Sequence, residues 1–410
     1  MAEQLTRKRI IVLTSTFPRW SNDTDPPFVY ELSRRLGPEF DIQVLAPHYP
    51  GTLRKETMAG MEVHRFRYFL ERFERLAGSA GILPTLKKNK LYYLLVPFFV
   101  MAEFWALWRL VRQIKPDVVH AHWLIPQGLI AALVKKITGT PYVVTAHGGD
   151  VFGLQGGLLG FLKRLALESA DRVTVVSTVI KEAVLAISNL NIAPLVLPMG
   201  VDSTKFKIAA EADLLREKYG IRGPLLLFVG RLTEKKGVRY LLEAMPEVIR
   251  KNPTVKLLIV GSGEEEEQLK QLSAALHLGI NVIFTGPFPN SDLPQFYTAA
   301  DIFIGPSIRT QGGDTEGFGL TFVEAGMSGC ILIGSKVGGI TDIIEEGKTG
   351  FLVAEKNPAD ITAAVLAALS RQDEWPAMAE RTRRDLTSRF DWQLVARGYA
   401  KILANVVADA

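Results

Sequence analysis

Two successive α/β units, each a doubly wound Rossmann-like sheet, are what this 410-residue chain predicts, and three observations predict them. Short apolar runs alternate along the chain with helical stretches, the pattern of parallel strands joined by crossover helices. The pattern restarts about halfway, at Leu225-Leu-Leu-Phe-Val-Gly230. Glycine-rich polar turns follow several of the runs, which places candidate ligand groups at the carboxyl ends of strands, where open α/β sheets bind. The expected boundaries are residues 1–203 for the first unit, 204–390 for the second, and a closing helix over 391–410.

Composition excludes several classes. With 48% hydrophobic and 22% charged residues, the chain is ordinary globular material. A single cysteine, Cys330, in an apolar strand rules out an internal disulfide framework and reads as a buried thiol in a reducing compartment. Ile10 to Leu13, after the charged first residues, is too short for the core of an export signal, so a cytoplasmic protein is expected. Charge is uneven: 25 Lys and Arg against 17 Asp and Glu through Lys205, then 23 against 26. The cations of the first half are scattered without an aromatic stacking array, so nucleic acid is not the expected partner. An anionic membrane surface or a phosphate-bearing acceptor fits better.

In chain order, Arg9 to Thr14 reads as the first strand and Val29 to Leu36 as the first helix. The loop between them holds Asp23-Thr-Asp25, a pattern that can bind a divalent metal but is common in polar turns, and turn or capping duty is expected. A strand over Asp41 to Ala46 and a hairpin-like region to Phe69 follow. Lys87 to Lys115 then combines basic ends with an apolar centre about long enough to span a bilayer. Glu103 and Pro97 interrupt it, which disfavours spanning; a helix lying in the membrane interface and a helix packed in the core both remain.

Strand Asp117 to Ala121 carries His120 and leads to His122 and Trp123; the two histidines are read as facing opposite ways, either lining the acceptor side or serving structure. Strand Tyr142 to Thr145 ends in Ala146-His-Gly-Gly-Asp150, where the glycines allow close backbone approach and His147 can point to a ligand. A structural histidine bonded to the backbone is the alternative for His147. Strands Arg172 to Val176 and Leu195 to Leu197 complete the first unit.

The second unit opens with Leu225 to Gly230 and continues Gly230-Arg-Leu-Thr-Glu-Lys-Lys-Gly237. Arg231 and Lys236 offer a planar donor fork and a point charge, which suit a diphosphate, with Lys235 expected as a solvent-exposed neighbour. Strand Val255 to Val260 leads to Gly261-Ser-Gly263 and four glutamates, which is no dinucleotide fingerprint and disfavours a nicotinamide enzyme. Between the strands at Asp301–Gly305 and Cys330–Gly334 lies Glu316-Gly-Phe-Gly-Leu-Thr-Phe-Val-Glu324. The N–H groups of Phe318, Gly319 and Leu320 at a helix start make a site for phosphate oxygens. Glu316 and Glu324 would repel such a ligand unless each accepted hydrogen bonds from its hydroxyls, as a sugar and a ribose would provide.

The Glu316 to Glu324 pattern, with Glu324-Ala-Gly-Met-Ser-Gly329, Val337-Gly-Gly-Ile340 and the Gly230 to Gly237 segment, resembles the nucleotide-sugar site of glycosyltransferase family 4. The resemblance covers nearly the whole chain and is strongest from Phe228 to Val353. It implies the GT-B fold, two Rossmann-like domains facing across a cleft, and transfer with retention from a UDP- or GDP-sugar to a glycan or lipid-linked acceptor, without metal or other cofactor. It assigns Arg231 and Lys236 to the diphosphate, Glu316 to the sugar and Glu324 to the ribose. Gly230 and Phe318 to Leu320 give main-chain contacts, and Pro287 and Phe288, in Gly286-Pro-Phe-Pro289, hold the base. His147 resembles the family's histidine near the transferred sugar, with Asp150 and His122 on the acceptor side. In the first loop Pro26 and Pro27 stand where the family has glycine. A phosphorylase, a sugar-nucleotide epimerase and a non-catalytic nucleotide-sugar binding protein are the competing readings.

Overall fold

The computed structural model describes residues 7–20, 23, 27–78, 81–153, 156–208 and 212–409. It divides into two compact units, Met1–Met199 with Val395–Ala410, and Gly200–Leu394.

Among the described residues of the first unit eight strands form one sheet: β1 (Arg9–Leu13), β2 (Asp41–Pro47), β3 (Lys55–Met58), β4 (Met61–Phe66), β5 (Val118–His122), β6 (Tyr142–Ala146), β7 (Arg172–Val175) and β8 (Leu195–Val196). Their order is β3-β4-β2-β1-β5-β6-β7-β8. Among the described residues only the β3–β4 hairpin is antiparallel. Ile10 to Leu13 and Val143 to Val144 are fully buried, because helices cover both faces and leave no polar side for alternation. The order reverses between β1 and β5, so the carboxyl ends of these strands flank a topological switch point.

The basic-apolar stretch is a helix over Val96–Ile114, preceded by a 3₁₀ segment over Lys90–Leu95. Pro97 sits in its first turn, where no N–H is needed, so it starts the helix and does not interrupt it. Phe99, Glu103, Leu107, Leu110 and Val111 form its buried face, and Phe99 lies 5.2 Å and 5.0 Å from the rings of Phe66 and Tyr68. Glu103 therefore points into the core, where its Oε1 accepts a 2.9 Å hydrogen bond from Gln127 Nε2.

Burial pushes the Glu103 carboxyl up to about 8, against the smaller opposing effect of the Gln127 bond. Because the folded value lies above the ordinary value of 4.5, this group favours folding at acid pH, and its contribution is lost as pH rises towards and through 8. The loss is roughly 3–5 kcal/mol for a shift of this size. Glu103→Gln keeps the shape and cannot ionise, so its urea-unfolding stability is expected to fall less steeply between pH 5 and 9 than that of the parent, the remaining slope belonging to other acids that burial raises, such as Glu324. Parallel pH dependence in both proteins would show that Glu103 is not the group responsible.

Among its described residues the second unit has six strands, all parallel: β9 (Leu225–Val229), β10 (Lys256–Val260), β11 (Val282–Gly286), β12 (Ile302–Gly305), β13 (Ile331–Ser335) and β14 (Gly350–Val353). Their order, β11-β10-β9-β12-β13-β14, is that of a doubly wound dinucleotide-type sheet. Leu226, Phe228, Leu257, Ile259, Ile302, Ile304 and Ile333 pack against helix Val238–Lys251 through Leu241, Leu242, Met245 and Val248. The switch point falls between β9 and β12, and the two loops that leave them are those carrying Arg231 and Glu316.

Candidate active site

Close backbone packing joins these two loops. Gly237 has φ 64°, and a Cβ there would lie 2.0 Å from the carbonyl oxygen of Pro306, so only glycine lets the loop after β9 meet the loop after β12. Ile308 N donates to Lys235 O at 2.8 Å across the same junction. Gly338 likewise has φ 57° and lies against the Glu316 carbonyl oxygen, which accepts from Gly339 N at 3.1 Å. Backbone contacts thus fix the turn before its side chains are considered.

Two lysine–carboxylate pairs then cross the junction. Lys236 Nζ donates to Glu316 Oε2, and Lys235 Nζ lies 3.3 Å from Asp314 Oδ1. Lys235 is therefore not the solvated neighbour expected from sequence, because Asp314, 79 residues away, reaches back to it. Burial pushes the Glu316 carboxyl up, but Lys236, Lys235 and Arg231 outweigh this and hold it below the usual carboxylate value. Glu316 is thus ionised at neutral pH, half of a fixed ion pair beside the exposed Arg231. Gly319 (φ 103°) caps helix Leu320–Met327, whose first N–H groups have no acceptor within the helix. Phe318 turns its ring inward, 5.2 Å from Phe390, and leaves the backbone as its contribution to the site.

Glu324 follows on that helix, half-buried, with Oε2 accepting from Tyr297 Oη at 2.8 Å. Burial raises its carboxyl to about 7, while the Tyr297 bond and the Lys205 ammonium pull it down. Tyr297 belongs to helix Leu293–Ala299, and its neighbour Phe296 packs on Phe288 at 4.7 Å. One helix therefore ties the Pro287–Phe288 turn to Glu324. Sequence reasoning missed Tyr297; the available signal was a tyrosine on the buried face of a short helix, whose hydroxyl needs a partner.

His147, His122 and Asp150 lie in the first unit. His147 follows β6, and its Nε2 lies 3.0 Å from His122 Nδ1, with the Trp123 and Phe28 rings at 4.8 Å and 5.2 Å. Burial drives His147 down to about 3, so it is a neutral imidazole at physiological pH. His120 and His122 do not face opposite ways: their rings are 4.3 Å apart on one side of β5, because strand side chains two apart share a face. His120 is tied by Nε2 to Thr145 Oγ1 at 2.8 Å. Asp150 and His122 are both buried. The Asp150 carboxylate accepts from the N–H groups of Leu124, Gly148 and His147 at 2.8, 2.9 and 3.1 Å, so it shapes the loop that presents His147. In the first loop the Asp23 carboxylate is bound by Arg19 Nε at 2.7 Å; Thr24, Asp25 and Pro26 lie outside the described residues.

Comparison with known proteins bears on this arrangement. A glycosyl transferase 4-like domain matches residues 27–200, and a domain of glycosyl transferases group 1 matches 212–385. An uncharacterized glycosyltransferase of Methanocaldococcus jannaschii is 31% identical over 298 residues, 69% of this chain and 74% of that protein. A GDP-mannose-dependent alpha-(1-6)-phosphatidylinositol monomannoside mannosyltransferase of Mycolicibacterium smegmatis is 29% identical, over 72% of this chain and 79% of the relative. Among solved structures, sucrose-phosphate synthase from Thermosynechococcus elongatus superposes with a TM-score of 0.78 at 20% identity, covering 98% and 100% of the two chains. Anabaena HepE in complex with UDP gives 0.76 at 17%, covering 97% and 100%.

Fold and relatives together define an enzyme of the glycosyltransferase class, with two Rossmann-like units of the GT-B type. Within that class the chain belongs to the family 4 type, the family whose two domain models match it in tandem.

Proposed function

We propose that this enzyme moves a sugar, with retention of configuration, from a UDP- or GDP-sugar to a hydroxyl of a lipid-linked or envelope glycan, working in the cytoplasm at the inner face of the membrane. The observation that carries the reading is the Lys236–Glu316 pair held at the β9/β12 switch point beside a helix N-terminus. In this reading Glu324 receives the ribose hydroxyls and Glu316 the hydroxyls of the sugar. Gly230 and the main chain of Phe318 to Leu320 meet the phosphates and sugar, and Pro287 and Phe288 flank the base. Arg231 and Lys236 stabilise the negative charge that grows on the departing diphosphate, an electrostatic task suited to fixed cations. Two cations and a helix N-terminus serve it without a metal ion.

The state of the carboxylates disfavours a covalent route to retention and supports a front-face one. Glu316 is paired with Lys236 and Glu324 with Tyr297, so neither is a free nucleophile of the glycosidase kind. The acceptor oxygen then attacks on the face the diphosphate leaves: the anomeric carbon–oxygen bond to phosphate breaks, the bond to the acceptor forms, and the acceptor proton passes to a phosphate oxygen. His147, being neutral, is suited to hydrogen bonding near the sugar and not to carrying charge. The relatives' names support the substrates: one is GDP-mannose-dependent and acts on a phosphatidylinositol mannoside, and another is bound to UDP.

The test is a transfer assay with labelled UDP- and GDP-sugars and a lipid extract of bacterial membranes. Label is expected in organic-extractable glycolipid with one nucleotide, with the donor's anomeric configuration kept in the product. Inversion would overturn the front-face route; absence of transfer from every donor, with nucleotide binding intact, would favour a binding protein.

A further inference from the structure

The outer side of helix Val96–Ile114 carries more than a membrane-length count of apolar residues. Its buried positions, Phe99, Glu103, Leu107 and Leu110, recur every three or four residues. The exposed ones, Phe98, Met101, Trp105, Arg109 and Arg112, recur at the same spacing and so form one continuous stripe. Its first half is apolar, with Met101 58% and Trp105 57% exposed, and its second half is two arginines. Phe69 packs on Phe98 at 5.2 Å and on Phe73 at 6.1 Å, which joins the loop after β4 to the stripe. Leu94 on the preceding segment, 70% exposed, extends the same apolar ground. Contiguous exposure of this kind marks a contact surface.

Charge identifies the partner. Residues 69–115 hold eight Lys and Arg but three acids. Glu74 and Glu103 are buried, which leaves Glu71 as the surface carboxylate of this stretch. Arg72 lies over the Phe73 ring at 4.8 Å and Arg112 over Trp108 at 5.1 Å, so cations stand beside the aromatic groups. An apolar patch edged by cations complements an anionic phospholipid surface, into which aromatic side chains enter by about 5–10 Å while arginines stay at the phosphates.

We propose that the Phe69–Phe73 loop and the Phe98–Met101–Trp105–Arg109–Arg112 stripe form one monotopic docking surface for an anionic bilayer, with the Glu103 face of the helix remaining in the protein core. The helix lies on the membrane and does not cross it, because crossing would tear Glu103 from Gln127 and four further core positions from the first unit. This rests on the reading of a membrane-side acceptor and names the surface that delivers the enzyme to it.

The test is flotation of the full chain with phosphatidylcholine vesicles, with and without phosphatidylglycerol, together with sedimentation to give the oligomeric state. The parent is expected to float with the anionic vesicles, and less so as salt rises. Phe98→Ser/Trp105→Ser is expected to lower the vesicle affinity more than tenfold. Arg109→Glu/Arg112→Glu is expected to lower it roughly 10- to 30-fold or more, on anionic vesicles alone. Unchanged melting temperature and nucleotide-induced stabilisation would show that both variants fold. Equal binding to neutral vesicles, no flotation of the parent, or a parent dimer that the serine variant turns into a monomer would each overturn the proposal, the last by assigning the patch to a second copy of the chain. Flotation requires no turnover, so its failure leaves sugar transfer untouched; failed transfer with normal flotation counts against the acceptor instead.

Discussion

Replacing Lys236 with methionine is expected to lower kcat about 100- to 1,000-fold, the scale of losing one fixed group that stabilises transition-state charge, with a much smaller change in donor KM. The ammonium is held at the switch point by Glu316 and by the backbone junction at Gly237. It is therefore in place before charge develops and needs no reorganisation when the diphosphate departs. In the proposed reading donor binding is spread over Glu324, the helix N-terminus and the Pro287–Phe288 turn, and so has other supports. Steady-state kinetics separates the two effects, since a group acting only in the transition state lowers kcat and kcat/KM together. A loss confined to KM would make Lys236 a binding residue. The melting temperature is the control, because the substitution also leaves Glu316 without its partner.

The second large effect is expected at Glu324. Saturating UDP or GDP should stabilise the parent by roughly 2.7 kcal/mol at a hundred times Kd, a rise of roughly 5–10 °C in melting temperature for a unit of this size. Glu324→Ala is expected to abolish that rise for the nucleotide that binds. pH gives an independent readout. Burial raises the Glu324 carboxyl to about 7, so nucleotide affinity should increase as pH passes from 6 to 8 and the ribose gains an ionised acceptor. Glu324→Gln should lack this dependence. Without nucleotide the sign is opposite: the raised value means that the folding contribution of Glu324 is lost as pH climbs from its ordinary 4.5 towards and through 7. Nucleotide shifts equal in the parent and Glu324→Ala would remove Glu324 from the donor site.

Much of the second unit could be read directly from the chain. The apolar runs that became β9, β10, β12 and β13 are short and bounded by glycine, and burial on both faces gives them a composition that few other structures share. The Glu316 to Glu324 segment was readable for a related reason: a glycine turn entering a helix is a local geometry, encoded in adjacent residues. The first unit was harder. Its long apolar helix looked interrupted at Glu103, because a sequence shows a charge but not the Gln127 side chain that meets it. His120 and His122, two apart on β5, share a face because a strand has a period of two, so their common side is legible in the chain itself.

By itself, then, the sequence determined the two α/β units, the positions of the loops at strand ends, and the residue types gathered in the candidate site. These depend on local preference and on the spacing of apolar residues, both written along the chain. Only the tertiary structure decided how the charges are used. Lys236 meets Glu316 across 80 residues, Lys235 meets Asp314 across 79, and Glu324 meets Tyr297 across 27. Such pairings depend on which strands become neighbours in the sheet, and periodicity carries no record of a partner that far away. The same holds for the acid at 103: its spacing placed it on a helix face, but burial beside Gln127 made that face the inner one and left the aromatic and arginine stripe outside.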